Sequence, residues 1–153
     1  MSTTVKNATL KITLREDITL NGSKMSSENV LRISDINEVF KRIITLTGGG
    51  QVTVVSLNNT LAAGGTYREG DVRYIRFTNL DSSNSMTLIL AGDSSTSIAL
   101  RLDPGASYII TSSTSTGVVD YADIEGVSLE DLTLIKGTTS ADTIDLEIFV
   151  ASA

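Results

Sequence analysis

The chain has 153 residues, with 18 acidic against 12 basic side chains, a net charge of −6, and no cysteine, histidine or tryptophan. That length fits one domain with a real core. The missing Cys and His exclude disulfides, thiolate nucleophiles, imidazole bases and Cys/His zinc sites, and the acidic balance argues against direct nucleic-acid binding.

The 20 Thr, 15 Ile and 11 Val tilt the chain toward strands. The start, "MSTTVKN", is polar and patternless. It is expected to be a flexible arm over residues 1–7, with Ser2, Thr3, Thr4 and Val5 as candidate attachment residues. It has no apolar core of a secretory signal, and no stretch of the chain approaches a membrane span. No membrane contact is expected. Residues 8–153 read as a single β-sandwich domain.

"ATLKITLR" alternates, with Leu10, Ile12 and Leu14 on one face and Thr9, Lys11, Thr13 and Arg15 on the other. That is a half-buried strand, and "DITLNG" ends it at an Asn21-Gly22 turn. In "SSENVLRISDINEVFKRIITLTGGG", Asp35 and Glu38 look like a helix-capping pair. The β-branched run after them favours a strand. The expectation is a short turn or helical turn near Asp35, then a strand from about Val39 to Thr47.

"QVTVVSL" is a strand, and "NNTLAAGGTYREGD" a loop. "VRYIRFTNLDSSNSMTLIL" reads as a β-hairpin turning through "DSSNS". Ile75 and Phe77 share a face with Arg73, and Tyr74, Arg76 and Thr78 share the other. "SIALRL" and "ASYIITSS" are joined by Asp103-Pro104-Gly105, a type I or II turn. "STSTGVVDYADIEGVSLED" is a polar connection, and "LTLIKG" and "TIDLEIFVAS" are the last strands. About ten short strands with regular turn signals give an all-β fold, an antiparallel β-sandwich of jelly-roll type.

Candidate chemistry is sparse. "TGGGQ" lacks the Gly-Lys-Ser/Thr and the helix of a phosphate loop. Asp120, Asp123 and Glu125 cluster, but not at calcium-loop spacing, and read as a solvated acidic loop. Carboxylate pairs for glycoside hydrolysis arise by chance among 18 acids. Tyr67 and Tyr74 near Arg68 are the best candidates for a sugar platform, against the plainer reading of tyrosines packed at a sheet edge. No cofactor, metal or catalytic residue is expected.

Three segments carry a resemblance: "TLKITLREDITLNG", "EGDVRYIRFTNLDSSNSMTLIL…RLDPGASYII" and "DLEIFVAS". Together they resemble small virion structural proteins of tailed phages, especially marine ones. In those proteins a leading strand ends in Leu-Asn-Gly, a "YIRxTNLD" strand follows, and then an "LxPGxS" turn. The resemblance implies a non-enzymatic capsid decoration (cement) protein on the outer surface of the virion. The alternative is a tail- or fibre-associated receptor- or glycan-binding module. The implied partner is the major capsid protein or another virion protein.

A homo-oligomer, most simply a trimer, is expected, because outward apolar residues such as Phe149 need cover. Arg73, Tyr74, Arg76 and Phe149 are the candidate inter-subunit contacts. For the arginines the competing reading is pairing with a carboxylate on an adjacent strand of the same chain.

Overall fold

A computed structural model describes residues 6–58, 66–92, 97–112, 132–141 and 143–153. These form eleven strands: β1 (Ala8–Leu20), β2 (Ser23–Ile36), β3 (Glu38–Thr47), β4 (Val52–Leu57), β5 (Thr66–Tyr67), β6 (Val72–Asn79), β7 (Met86–Gly92), β8 (Ser97–Leu102), β9 (Ser107–Thr111), β10 (Leu132–Thr139) and β11 (Thr143–Ser152). One 3₁₀ turn, Glu69–Asp71, precedes β6. There is no α-helix among the described residues.

One sheet has the order β3-β11-β6-β9, and the other β5-β4-β10-β7-β8. With the two-residue β5 set aside, the remaining strands cross between sheets in the order of a jelly roll. The fold is an all-β antiparallel sandwich. Its core is the alternate residues of the facing strands, among them Leu46, Val54, Phe77, Leu88, Ile135 and Ile148, all nearly inaccessible to water. At Gly137 the sheets approach so closely that an added Cβ would lie 2.8 Å from Leu46 Cδ1.

β6 and β7 were expected to pair as a hairpin, and they do not. They lie in different sheets, and "LDSSNS" is a corner between them. Asn79 makes that corner. The alternation that sends Ile75 and Phe77 inward sends Asn79 inward too, and a buried amide must find partners. Its Nδ2 donates to the carbonyls of Asn84 (2.8 Å) and Leu102 (3.2 Å), and its Oδ1 accepts from the Asp81 N–H (3.0 Å). Its backbone binds the next corner, Asp103-Pro104-Gly105, through Ala106 O and Gly105 N. That corner is a type II turn, with Gly105 at φ +71° and Ala106 N–H donating to Asp103 O at 3.0 Å. It carries β8 across to β9, so these two are not a hairpin either.

The short turn or helical turn expected near Asp35 is absent. Asp35 sits within β2 at φ +62°, where the register between β1 and β2 slips. A bulge is the cause, and aspartate tolerates the left-handed conformation it needs. The extra residue lets Ile33 and Ile36 both turn inward. A second bulge corrects the reading of Arg73. The register of β6 on β11 shifts between Tyr74 and Val72, so Val72 is buried in the core while Arg73 is expelled from the core face.

Candidate functional site

β1 and β2 belong to neither sandwich sheet. They form a two-stranded ribbon closed by Asn21-Gly22, at φ +50° and +79°, the type I′ turn that the dipeptide favours. The register pairs Leu10 with Ile33, Ile12 with Leu31, Leu14 with Asn29, Glu16 with Ser27, Ile18 with Met25 and Leu20 with Ser23. Those residues share one face. The other face carries Lys11, Thr13, Arg15, Asp17 and Thr19 opposite Arg32, Val30, Glu28, Ser26 and Lys24. One face is mainly apolar, with Asn29, Ser27, Ser23 and a single charge, Glu16, in its outer half, and the other holds the ion pairs of Asp17 with Arg15 and Lys24.

The base of the apolar face is covered. Ile33 and Ile36 are buried against Tyr74 and Ala151 of the β3-β11-β6-β9 sheet, with Leu10, Ile12, Leu31 and Phe149 packed around them. The rings of Tyr74 and Phe149 meet edge to face, with centroids 5.8 Å apart. Burial raises the Tyr74 hydroxyl above its ordinary pKa, with Arg76 opposing it. Beyond Ile12 the ribbon parts from the sheet. A cleft of about 330 Å³ opens there between Leu10, Ile12 and Leu14 on the ribbon and Tyr74, Arg76, Ile109 and Phe149 on the sheet. Leu14, Ile18, Leu20 and Met25 continue the apolar face uncovered, at 55–58% exposure.

Beside the cleft lies a charge cluster. Glu147 on β11 accepts from Lys41 on β3 (2.9 Å) and from Arg76 on β6 (2.5 Å). The hydrogen bond from Lys41 is the main cause that holds the Glu147 carboxyl below its usual range. On the inner side of β3, Arg42 reaches Val54 O at 2.5 Å and lies over the Phe40 ring. Val54 is the extra residue of a bulge on β4, which leaves its carbonyl outside the ladder. Phe40 meets Tyr67 edge to face, and desolvation pushes the Tyr67 hydroxyl up to about 12.

The candidate contact residues are thus engaged within their own chain. Arg76 binds Glu147 and Thr78, and Arg73 donates to Gly70 O at 2.6 Å. Tyr74 and Phe149 lie under the ribbon base, so Phe149 has the cover for which a neighbouring subunit was invoked. Tyr67 and Tyr74 are both buried and form no sugar platform. Ser2, Thr3, Thr4 and Val5 lie outside the described residues, as do Asp120, Asp123 and Glu125. Among the described residues no three His, Cys, Asp or Glu side chains gather as a metal site. The ribbon thus presents exposed apolar residues, with an open cleft between it and the sheet and a paired charge cluster on the sheet beside that cleft. Compared with known families, curated proteins and solved structures, the chain matches none.

Two features were missed from the sequence, and both left a signal. A strand of 13 residues is far longer than the usual five or six. Its alternation from Leu10 to Leu20 runs past anything that one small sandwich can cover. Asn79 was signalled by a polar residue in phase with Ile75 and Phe77.

Proposed function

We propose that this chain is a non-enzymatic structural protein of a phage virion that decorates the outer surface of the capsid shell. One observation carries the reading: a rigid jelly-roll bears an amphipathic ribbon whose distal apolar half is uncovered. A two-stranded ribbon is marginal in water by itself, and a patch of that kind marks a surface meant for other protein. The segments resembling tailed-phage virion proteins narrow that partner to a virion component.

The net charge of −6 favours the outside of the shell, because the inside faces packaged DNA. Attachment runs through the N-terminal arm and one sheet edge. Edge strand β3 is the suitable one, with Val39 and Ile43 exposed. An extended arm pairing with a shell strand gains affinity from main-chain hydrogen bonds. With no histidine in the chain, binding stays nearly constant across neutral pH.

The test mixes purified protein with particles that lack it and locates it by electron microscopy. Density on the outer shell is expected, together with weaker decoration by a chain lacking residues 1–7. Density confined to the tail would replace the capsid reading with the tail-associated one. Equal decoration by the truncated chain would remove the arm as anchor.

A further inference from the structure

We infer that the free edge of β1 beside the cleft is a docking site for an extended segment of another protein, one that alternates apolar with acidic residues and joins the ribbon as a third strand. The inference goes beyond the capsid reading by naming what the cleft takes, and its test needs no particle.

The ladder decides which main-chain groups face the cleft. In an antiparallel pair, facing residues alternate between those that exchange both hydrogen bonds and those that exchange none. Leu20 and Ser23 flank the type I′ turn and are of the first kind. Ile18, Glu16, Leu14, Ile12 and Leu10 follow in the same phase, so their N–H and C=O groups point to β2. Lys11, Thr13 and Arg15 are of the second kind. Their N–H and C=O groups point away from β2, to an edge where β1 has no neighbour among the described residues.

The cleft lies along that edge. Its ribbon wall runs from Leu10 to Leu14 and includes no residue of β2. Lys11 and Thr13 line it although their side chains stand on the opposite face of the ribbon, so they meet it at the strand edge. The outward N–H and C=O groups of both residues therefore open toward a wall made of Tyr74, Arg76, Ile109 and Phe149.

The spacing of those groups selects the occupant. Donors and acceptors that recur at every second residue match an extended chain rather than a compact ligand. A strand laid beside β1 turns alternate side chains the same way as Leu10, Ile12 and Leu14, toward Tyr74, Ile109 and Phe149. Apolar residues suit those positions, and Ile109, now 39% exposed, gains cover. The stretch from Leu10 to Leu14 sets the length of the contact at about 17 Å of strand.

Charge selects the intervening residues, which stand on the face of Lys11 and Arg15. There Lys11 lies directly opposite Arg32, like charge against like, an arrangement that destabilises a strand pair. A carboxylate beside Lys11 on the added strand relieves the repulsion. A basic segment would put a third cation in the same row.

The experiment uses the full chain and titration calorimetry, with a probe peptide of about nine residues that alternates valine with glutamate. Binding is expected, and a probe alternating valine with lysine should bind at least roughly tenfold more weakly. A strand turns alternate N–H groups to opposite edges. Methylating the main-chain nitrogens of the valines alone, or of the glutamates alone, should therefore abolish binding in one case and spare it in the other. Thr13→Pro removes an outward N–H and no bond to β2, a position where an edge strand tolerates proline. Its circular dichroism should match wild type while its affinity falls at least roughly tenfold. Ile109→Glu, on the far wall, should weaken binding in the same way. No binding at about 1 mM probe overturns the inference, as does equal affinity for the lysine probe or an equal response to the two methylations. Laurate bound as tightly as the peptide would make the cleft a site for a small amphiphile. Wild-type assembly that Thr13→Pro dissolves would make a second copy the occupant. Either result sinks the inference. A chain that decorates particles but binds no probe keeps the capsid reading and loses this one, and a chain that binds the probe but leaves particles bare does the reverse.

Discussion

Asn79 shows how much of a crossing topology can rest on one side chain. Two corners meet at it, and its amide is the donor for one carbonyl in each. Asn79→Ala leaves both carbonyls and the Asp81 N–H without that partner inside protein, so a loss of about 2–4 kcal/mol is expected from urea unfolding. Asn79→Asp should be no better, since a carboxylate supplies no donor. A loss below about 0.5 kcal/mol would mean that the corners hold without it. Glu147 makes a different prediction. Its pKa is depressed in the fold, so its contribution is present above the ordinary value of 4.5 and is lost as pH falls through the folded value. Glu147→Gln should therefore be less stable than wild type at neutral pH, by under about 1 kcal/mol because Lys41 is largely exposed, and the gap should close in acid. A gap that persists or widens in acid would point to packing rather than charge.

At the level of elements, the sequence was legible wherever the physics is local. Alternation located the sandwich strands, and Asn-Gly and Asp-Pro-Gly located two turns, because both signals depend only on neighbouring residues. Pairing was not legible. β6 and β7 alternate as a hairpin would, yet alternation says which face is apolar and not which sheet the strand joins. Only the inward Asn79 hinted that the chain turns a corner. Bulges escaped for the same reason: the extra residues at Asp35 and Arg73 are set by partners distant in sequence. The ribbon was read as a strand and a turn, but its projection depends on how little the sandwich can cover. Sheet packing yields a further prediction at Gly137. There the Cβ of Gly137→Ala would meet Leu46 at 2.8 Å and Met86 at 3.2 Å, both fully buried, so the sheets must part or the side chains shift. A cost of about 1–3 kcal/mol is expected in denaturant. A neutral result would show that Leu46 can swing aside.

For the whole molecule, the two hydrophobic clusters divide the sandwich from the ribbon. The main cluster draws no residue from β1 or β2, and the second uses only the ribbon base. The outer ribbon is thus an appendage to a sandwich that is complete without it. Joining Leu14 to Asn29 through an Asn-Gly turn removes the outer strands while keeping their register, since this pair is in phase with Leu20 and Ser23, which flank the native turn. The base residues Leu10, Ile12, Leu31, Ile33 and Ile36 stay seated on Tyr74, Phe149 and Ala151. The trimmed chain should unfold in one cooperative transition, within about 1 kcal/mol of the parent, because what is lost was already in water. Decoration of particles should weaken if the exposed apolar residues of the ribbon touch the shell. Calorimetry and particle binding on the same two proteins separate these effects. If trimming abolishes cooperative unfolding, the ribbon belongs to the folding unit, and its exposed aliphatics serve stability in a way that the separation of the clusters does not explain.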